Sequence, residues 1–79
     1  MINIIEVERF PITLAQFLKW GGIAMTGGEA KEIIKGGFVA VNDEVCLMSG
    51  KKLQPNDKVT LFTEEGNLNY VAKQSIATQ

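Results

Sequence analysis

Residues 26–44 read Thr-Gly-Gly-Glu-Ala-Lys-Glu-Ile-Ile-Lys-Gly-Gly-Phe-Val-Ala-Val-Asn-Asp-Glu, and a helical period gives way to a strand period within them. Thr26 followed three residues later by Glu29 is a capping-box pattern: the Thr26 hydroxyl accepts from the Glu29 N–H, and the Glu29 side chain reaches back to Thr26. Ala30, Ile33 and Ile34 recur at i, i+3 and i+4, which predicts a helix with one buried stripe. Lys31 and Lys35, four apart, fall in one row on its exposed side, with Glu32 beside them. Gly36-Gly37 stops the helix, since glycine takes the left-handed C-terminal position without a Cβ penalty. From Phe38 the period is two, and Asn42-Asp43, both tolerant of positive φ, predict a tight hairpin turn before Glu44.

Upstream, Thr13 and Gln16 form a second capping-box pattern, with Ile12 and Phe17 placed for a hydrophobic staple. Leu14, Phe17 and Leu18 share one face, and Gly21-Gly22 ends a helix of about two turns over Leu14 to Trp20. Two such short helices cannot bury their stripes alone and are expected to pack together. Trp20 is expected in the core or at its rim, with a stacking platform as the alternative. Ile2 to Val7 alternates loosely and reads as an edge strand with Ile2, Ile4 and Val7 on its apolar side.

Downstream, Glu44 to Leu47 is the return strand of the hairpin and Ser49-Gly50-Lys51-Lys52 a loop. Pro55-Asn56-Asp57 suits a type I turn. Val59 to Thr63 is rich in β-formers, Glu64 to Asn67 reads as a hairpin loop, and Leu68 to Ala72 returns. The expected fold class is α+β: two short packed helices against one face of a small, mostly antiparallel sheet of four or five strands. A single domain is expected over residues 1–73, and residues 74–79, without periodicity, as a frayed tail.

The chain has 79 residues, 46% hydrophobic and 22% charged, which suits one folded domain. One cysteine, Cys46, rules out an intramolecular disulfide and suggests a reducing, cytoplasmic setting. No apolar run approaches the roughly 18 residues that would span a bilayer, and the start lacks a basic signal-peptide segment. With no histidine and one isolated cysteine, a metal site has almost no ligands and catalysis lacks its commonest base. No phosphate-loop or nucleophile-elbow spacing occurs. Glu64-Glu65 reads as a solvated loop tip and Cys46 as a buried, inert thiol. The chain is therefore expected to be no enzyme, to need no cofactor and to take no small-molecule substrate.

A net charge of −1 argues against binding nucleic acid through bulk charge. Residues 13–36 nonetheless sum to +1, three lysines against two glutamates. The start of the second helix offers free N–H groups beside Gly27 and Gly28, where an anion can approach the backbone. Lys31 and Lys35 continue along that helix. Should the Lys51-Lys52 loop fold back toward it, four lysines would share one side and span neighbouring phosphates.

The order of these signals resembles the S4 RNA-binding domain. It is most similar to the small stand-alone S4-like proteins of bacteria (YaaA/YbcJ-type). The resemblance runs over about residues 12–63. It is carried by Ile12, Thr13, Leu14, Phe17 and Leu18, by Gly27, Gly28, Ala30 and Lys31, and by Ile34 and Gly36. It continues through Val39, Val41, Asn42 and Glu44 to Gly50, Lys51, Lys52, Leu53, Asp57 and Val59. It implies an S4-type fold (the αL motif) whose two helices and following loop face structured RNA, often ribosomal. By position, Thr26 would hold the entry to a helix where Gly27 and Gly28 admit the RNA backbone. Lys31, Lys35, Lys51 and Lys52 would contact phosphates, and Asn42 would shape the hairpin turn. Met48-Ser49 stand where that group carries basic residues. The alternative is a protein-interaction module of the same fold, using an apolar surface that includes Trp20, Met25 and Met48.

Overall fold

The computed structural model describes residues 2–75. In chain order it contains β1 (Ile2–Val7), β2 (Ile12–Thr13), α1 (Leu14–Trp20), α2 (Gly27–Lys35), β3 (Val39–Val41), β4 (Glu44–Val45), β5 (Lys52–Leu53), β6 (Lys58–Thr63) and β7 (Gly66–Gln74). Five strands form one sheet in the order β1-β7-β6-β3-β4, and β2 and β5 form a separate two-residue ladder. All pairs in the main sheet are antiparallel except β1 with β7. This is the expected α+β arrangement. Phe17, Leu14 and Leu18 of α1 and Ile34 of α2 are fully buried with Leu53, Val39, Val59 and Val7, so the core lies between the helix pair and one face of the sheet.

Helix α1 starts and stops as its local signals predict. The Thr13 hydroxyl accepts from the Gln16 N–H at 3.2 Å and the Gln16 side chain accepts from the Thr13 N–H at 2.9 Å. The other two donors of the first turn are satisfied from far along the chain. Leu14 N–H donates to the Lys51 carbonyl at 2.8 Å and Ala15 N–H to the Ser49 carbonyl at 3.1 Å. A helix N-terminus needs such acceptors, and here they come from the loop expected after the hairpin. Lys52 does not end that loop; it begins β5, paired with Thr13 while Leu53 pairs with Ile12. A two-residue ladder carries no periodic signal in sequence.

Helix α2 departs from its expected cap in one detail. The Thr26 hydroxyl accepts from the Glu29 N–H at 3.0 Å, but the Glu29 carboxylate accepts from the Met25 N–H, at 2.7 Å, and not from that of Thr26. Thr26 is more extended than Thr13, φ −137° against −76°, which rotates its own N–H out of reach.

Strand β1 pairs along the sheet edge with Ile5 opposite Ala72 and Val7 opposite Gln74. Its inward side is therefore as expected at Val7 and the reverse at Ile2 and Ile4. Val7 is buried and Ile5 packs on the core, while Ile2 and Ile4 are exposed. With a side-chain period of two, the register against β7 alone decides which set goes inward.

The Asn42-Asp43 hairpin turn forms with φ of 50° and 72°, the type I′ geometry that matches strand twist. The turn at Pro55 is type II in place of the expected type I: Asp57 N–H donates to the Gln54 carbonyl at 3.1 Å and Asn56 has φ 77°. The two types differ by a flip of the central peptide. The Asn56 N–H donates to the Ala72 carbonyl at 2.6 Å, and that bond selects the flipped form. At the β6–β7 tip, Thr63 pairs with Gly66, so only Glu64 and Glu65 are left as loop. Strand β7 runs through Gln74, whose side chain donates to the Glu8 carbonyl at 2.8 Å, and Ser75 N–H donates to the Val7 carbonyl at 2.9 Å. The rest of the expected tail, residues 76–79, lies outside the described residues.

Candidate nucleic-acid interface

The first turn of α2 is bare. A Cβ added at Gly27 would meet nothing within 4 Å, and one at Gly28 would meet only the Thr26 hydroxyl, at 3.9 Å. Neither glycine needs a positive φ. Among the described residues, their N–H groups have no acceptor, whereas the next two, of Glu29 and Ala30, donate to Thr26. Two donors at the positive end of a nine-residue helix therefore face outward with no side chain over them. The Glu29 carboxylate shares this end, and its bond to Met25 N–H draws it to the N-terminal side of the cap.

Gly27, Lys31 and Lys35 stand four apart and so form one row along α2, next to the fully buried Ala30 and Ile34. Both lysines are exposed. Lys51 and Lys52 are exposed too, but their backbone is fixed: the Lys51 carbonyl is held by the start of α1, and Lys52 is in the β2–β5 ladder. Among the described residues the one ion pair joins Lys58 to Asp43 at 2.8 Å, so these four ammonium groups are not spent on carboxylates.

Asn42 plays a different part. Its side-chain amide donates to Asp57 at 3.2 Å, and its side-chain oxygen accepts from the Lys58 N–H at 3.0 Å. Its own N–H donates to the Lys58 carbonyl at 2.8 Å. These bonds tie the hairpin turn to the start of β6 and to the Pro55 turn. Of the eight residues singled out from sequence, five thus lie on α2 or its cap and two beside the start of α1. The eighth, Asn42, is occupied inside the scaffold.

Cys46 is half-buried, its thiol near the Met48 carbonyl at 3.6 Å. Trp20 sits at the rim, 54% exposed, with its indole N–H donating to the Glu6 carbonyl at 2.9 Å. Together with Arg9 and Lys19 it lines a cleft that the sequence did not single out. Its one sequence signal is the Lys19-Trp20 pair; Arg9 joins only through the fold. Among the described residues no cluster of acids and cysteine could hold a metal ion, and no helix is long and apolar enough to cross a membrane.

Helix pair, ladder and lysine loop all fall within residues 5–68, and over that span the sequence matches the model of the S4 domain. The chain belongs to the S4 domain family. It is also similar to a probable ribosome maturation protein, RlbA, of Bacillus subtilis (strain 168), with 39% identity over 61 residues, 77% of this chain and 86% of that protein. The matched S4 segment begins inside β1 and ends in β7, so it includes every candidate contact residue.

Proposed function

We propose that this S4 domain is a non-catalytic module that binds structured, ribosomal RNA by its backbone and shape. The observation that carries the proposal is the bare start of α2. Glycine in a helix is less favourable than alanine by about 1 kcal/mol, and nothing among the described residues requires it at positions 27 and 28. A phosphate reaching the two free N–H groups would require it. Lys31 and Lys35 extend that contact along the helix, Lys51 and Lys52 add to it from the anchored loop, and Asn42 keeps the hairpin beside them in shape. Folded RNA is read mainly through such backbone and shape contacts. The similarity to a probable ribosome maturation protein supports ribosomal RNA as the class.

The test is titration of folded ribosomal RNA fragments at several salt concentrations with the wild-type chain and with Lys51→Glu, Lys52→Glu together. The reversal is expected to weaken binding and to flatten the salt dependence by roughly 1.4 to 1.8 in log–log slope, the share of two phosphates. Undetectable affinity at low salt, or affinity indifferent to the reversal, would reject the proposal.

One observation favours a second reading, a protein-interaction surface. Met25 is 85% and Met48 69% exposed, and flexible thioethers suit adaptable protein contacts. A pull-down that returns one protein partner after nuclease treatment would support it, and recovery abolished by nuclease would count against it.

A further inference from the structure

The cleft beside Trp20 holds about 640 Å³, within the ~300–1,000 Å³ range of small-ligand sites. Its apolar wall is Val7, Pro11, Ile12 and the Trp20 indole. Its polar rim is Arg9, the chain's one arginine, with Lys19, Gln16 and Glu8. Two cations against one carboxylate leave the rim at +1 in a protein whose net charge is −1.

The indole is held for contact and not for burial. Its N–H is spent on the Glu6 carbonyl, which fixes one edge of the ring, yet 54% of the residue stays open. An exposed aromatic ring with its polar atom already satisfied offers a face for stacking. A lone phosphate would use the cations and leave the apolar wall empty; an apolar ligand would do the reverse. A nucleotide uses both: the base lies on the indole and its phosphate meets Arg9 and Lys19. Gln16 has its side-chain oxygen committed to Thr13, which leaves its amide hydrogens for a base edge.

The cleft also adjoins the proposed RNA surface. Ile12 in its wall is the ladder partner of Leu53, and the next rung pairs Thr13 with Lys52. Lys52 thus stands one rung along the ladder from the cleft wall. From this placement, and resting on the RNA-binding reading above, we infer that the cleft takes one unpaired nucleotide extruded from the bound RNA, stacked on Trp20. Such splayed bases are where RNA is read for sequence, so this cleft supplies the selectivity that backbone contacts lack.

Trp20 is the chain's one tryptophan, so its fluorescence reports on the site directly. The full chain is titrated with a fully paired hairpin RNA, with the same hairpin carrying one bulged nucleotide (each of the four bases in turn), and with the bulge made abasic. Free nucleoside 5′-monophosphates form a separate arm. At least one bulged base is expected to quench Trp20 and to bind about 5- to 150-fold more tightly than its abasic form. Trp20→Ala, followed by anisotropy of a labelled RNA, should remove most of that advantage, whereas Arg9→Gln with Lys19→Gln should weaken the bulged and abasic hairpins alike. Hairpins that bind alike, with no change in fluorescence, overturn this inference and leave the RNA-binding reading standing. If no RNA binds at low salt, both fall. Quenching by free monophosphates but not by any bulged hairpin makes the cleft a site for free nucleotides and rejects its assignment to RNA.

Discussion

Replacing Gly27 and Gly28 together by alanine should stabilise the protein and weaken its hold on RNA, and the two effects can be worked out separately. At neither position would the new Cβ meet anything closer than 3.9 Å, and neither glycine has a positive φ. Where the native backbone tolerates it, Gly→Ala stabilises by about 0.4–1 kcal/mol through lost freedom of the unfolded chain. Two sites give about 1–2 kcal/mol, which in a domain this small raises the melting temperature by about 4–16 °C. The same two methyl groups sit over the N–H groups that lack acceptors. Excluding a phosphate from one of them forfeits a charge-assisted hydrogen bond of about 1.5–3 kcal/mol, about 10- to 150-fold in affinity.

Thermal unfolding followed by circular dichroism reads the first effect, and anisotropy titration of a labelled hairpin RNA at fixed salt reads the second. A variant that melts higher and binds as well as wild type would show that no phosphate approaches the start of α2. A variant that melts lower would show that the glycines serve the fold itself, against the open space found around them.

Asn42→Ala removes two side-chain hydrogen bonds worth about 0.5–1.5 kcal/mol each and puts at φ 50° a residue without asparagine's tolerance of the left-handed region, at about 1 kcal/mol more. Urea unfolding should show a loss of about 2–4 kcal/mol, with Asn42→Gly recovering only the backbone part; equal losses would remove the conformational share. The facing of β1 is tested by lysine placed on each side. Ile4→Lys, at an exposed position, should change stability by less than about 0.5 kcal/mol, while Val7→Lys should leave no cooperative unfolding transition at room temperature, and equal effects would contradict the register with β7.

Elements whose signals are local were legible in the sequence. The bounds of α1 follow from Thr13, Gln16 and the Gly21-Gly22 pair, all within ten residues of one another, and the hairpin follows from Asn42-Asp43. What escaped depends on residues far apart. The inward side of β1 is set by pairing Val7 with Gln74, and the Pro55 turn type by a bond from Asn56 to Ala72. The same division holds at the site. The glycines and lysines of α2 could be read as a run, whereas the anchoring of Lys51 needs the first turn of α1, and the Trp20 cleft needs Arg9 brought across the β1–β2 corner.

That anchoring bears on how a nearly neutral protein holds an anionic partner. The Ser49 and Lys51 carbonyls are committed to α1, so the loop is ordered before RNA arrives and little backbone entropy is lost on binding. Met48 and Ser49 add no charge, so Lys31 and Lys35 on α2 and Lys51 and Lys52 beside the start of α1 are the proposed phosphate contacts. Four contacts imply a salt slope of about −3 to −4, and raising salt from about 50 to 200 mM then weakens binding by only about 50- to 150-fold, against about 10³ or more for surfaces with six or more contacts. Measured over that salt range, a slope of about −4 to −5 would mean that Arg9 and Lys19 share the RNA backbone with the four lysines. A slope near −3 to −4 would mean that little of the affinity is available to bulk nucleic acid. Discrimination then falls to the geometry of the helix start and the Trp20 cleft.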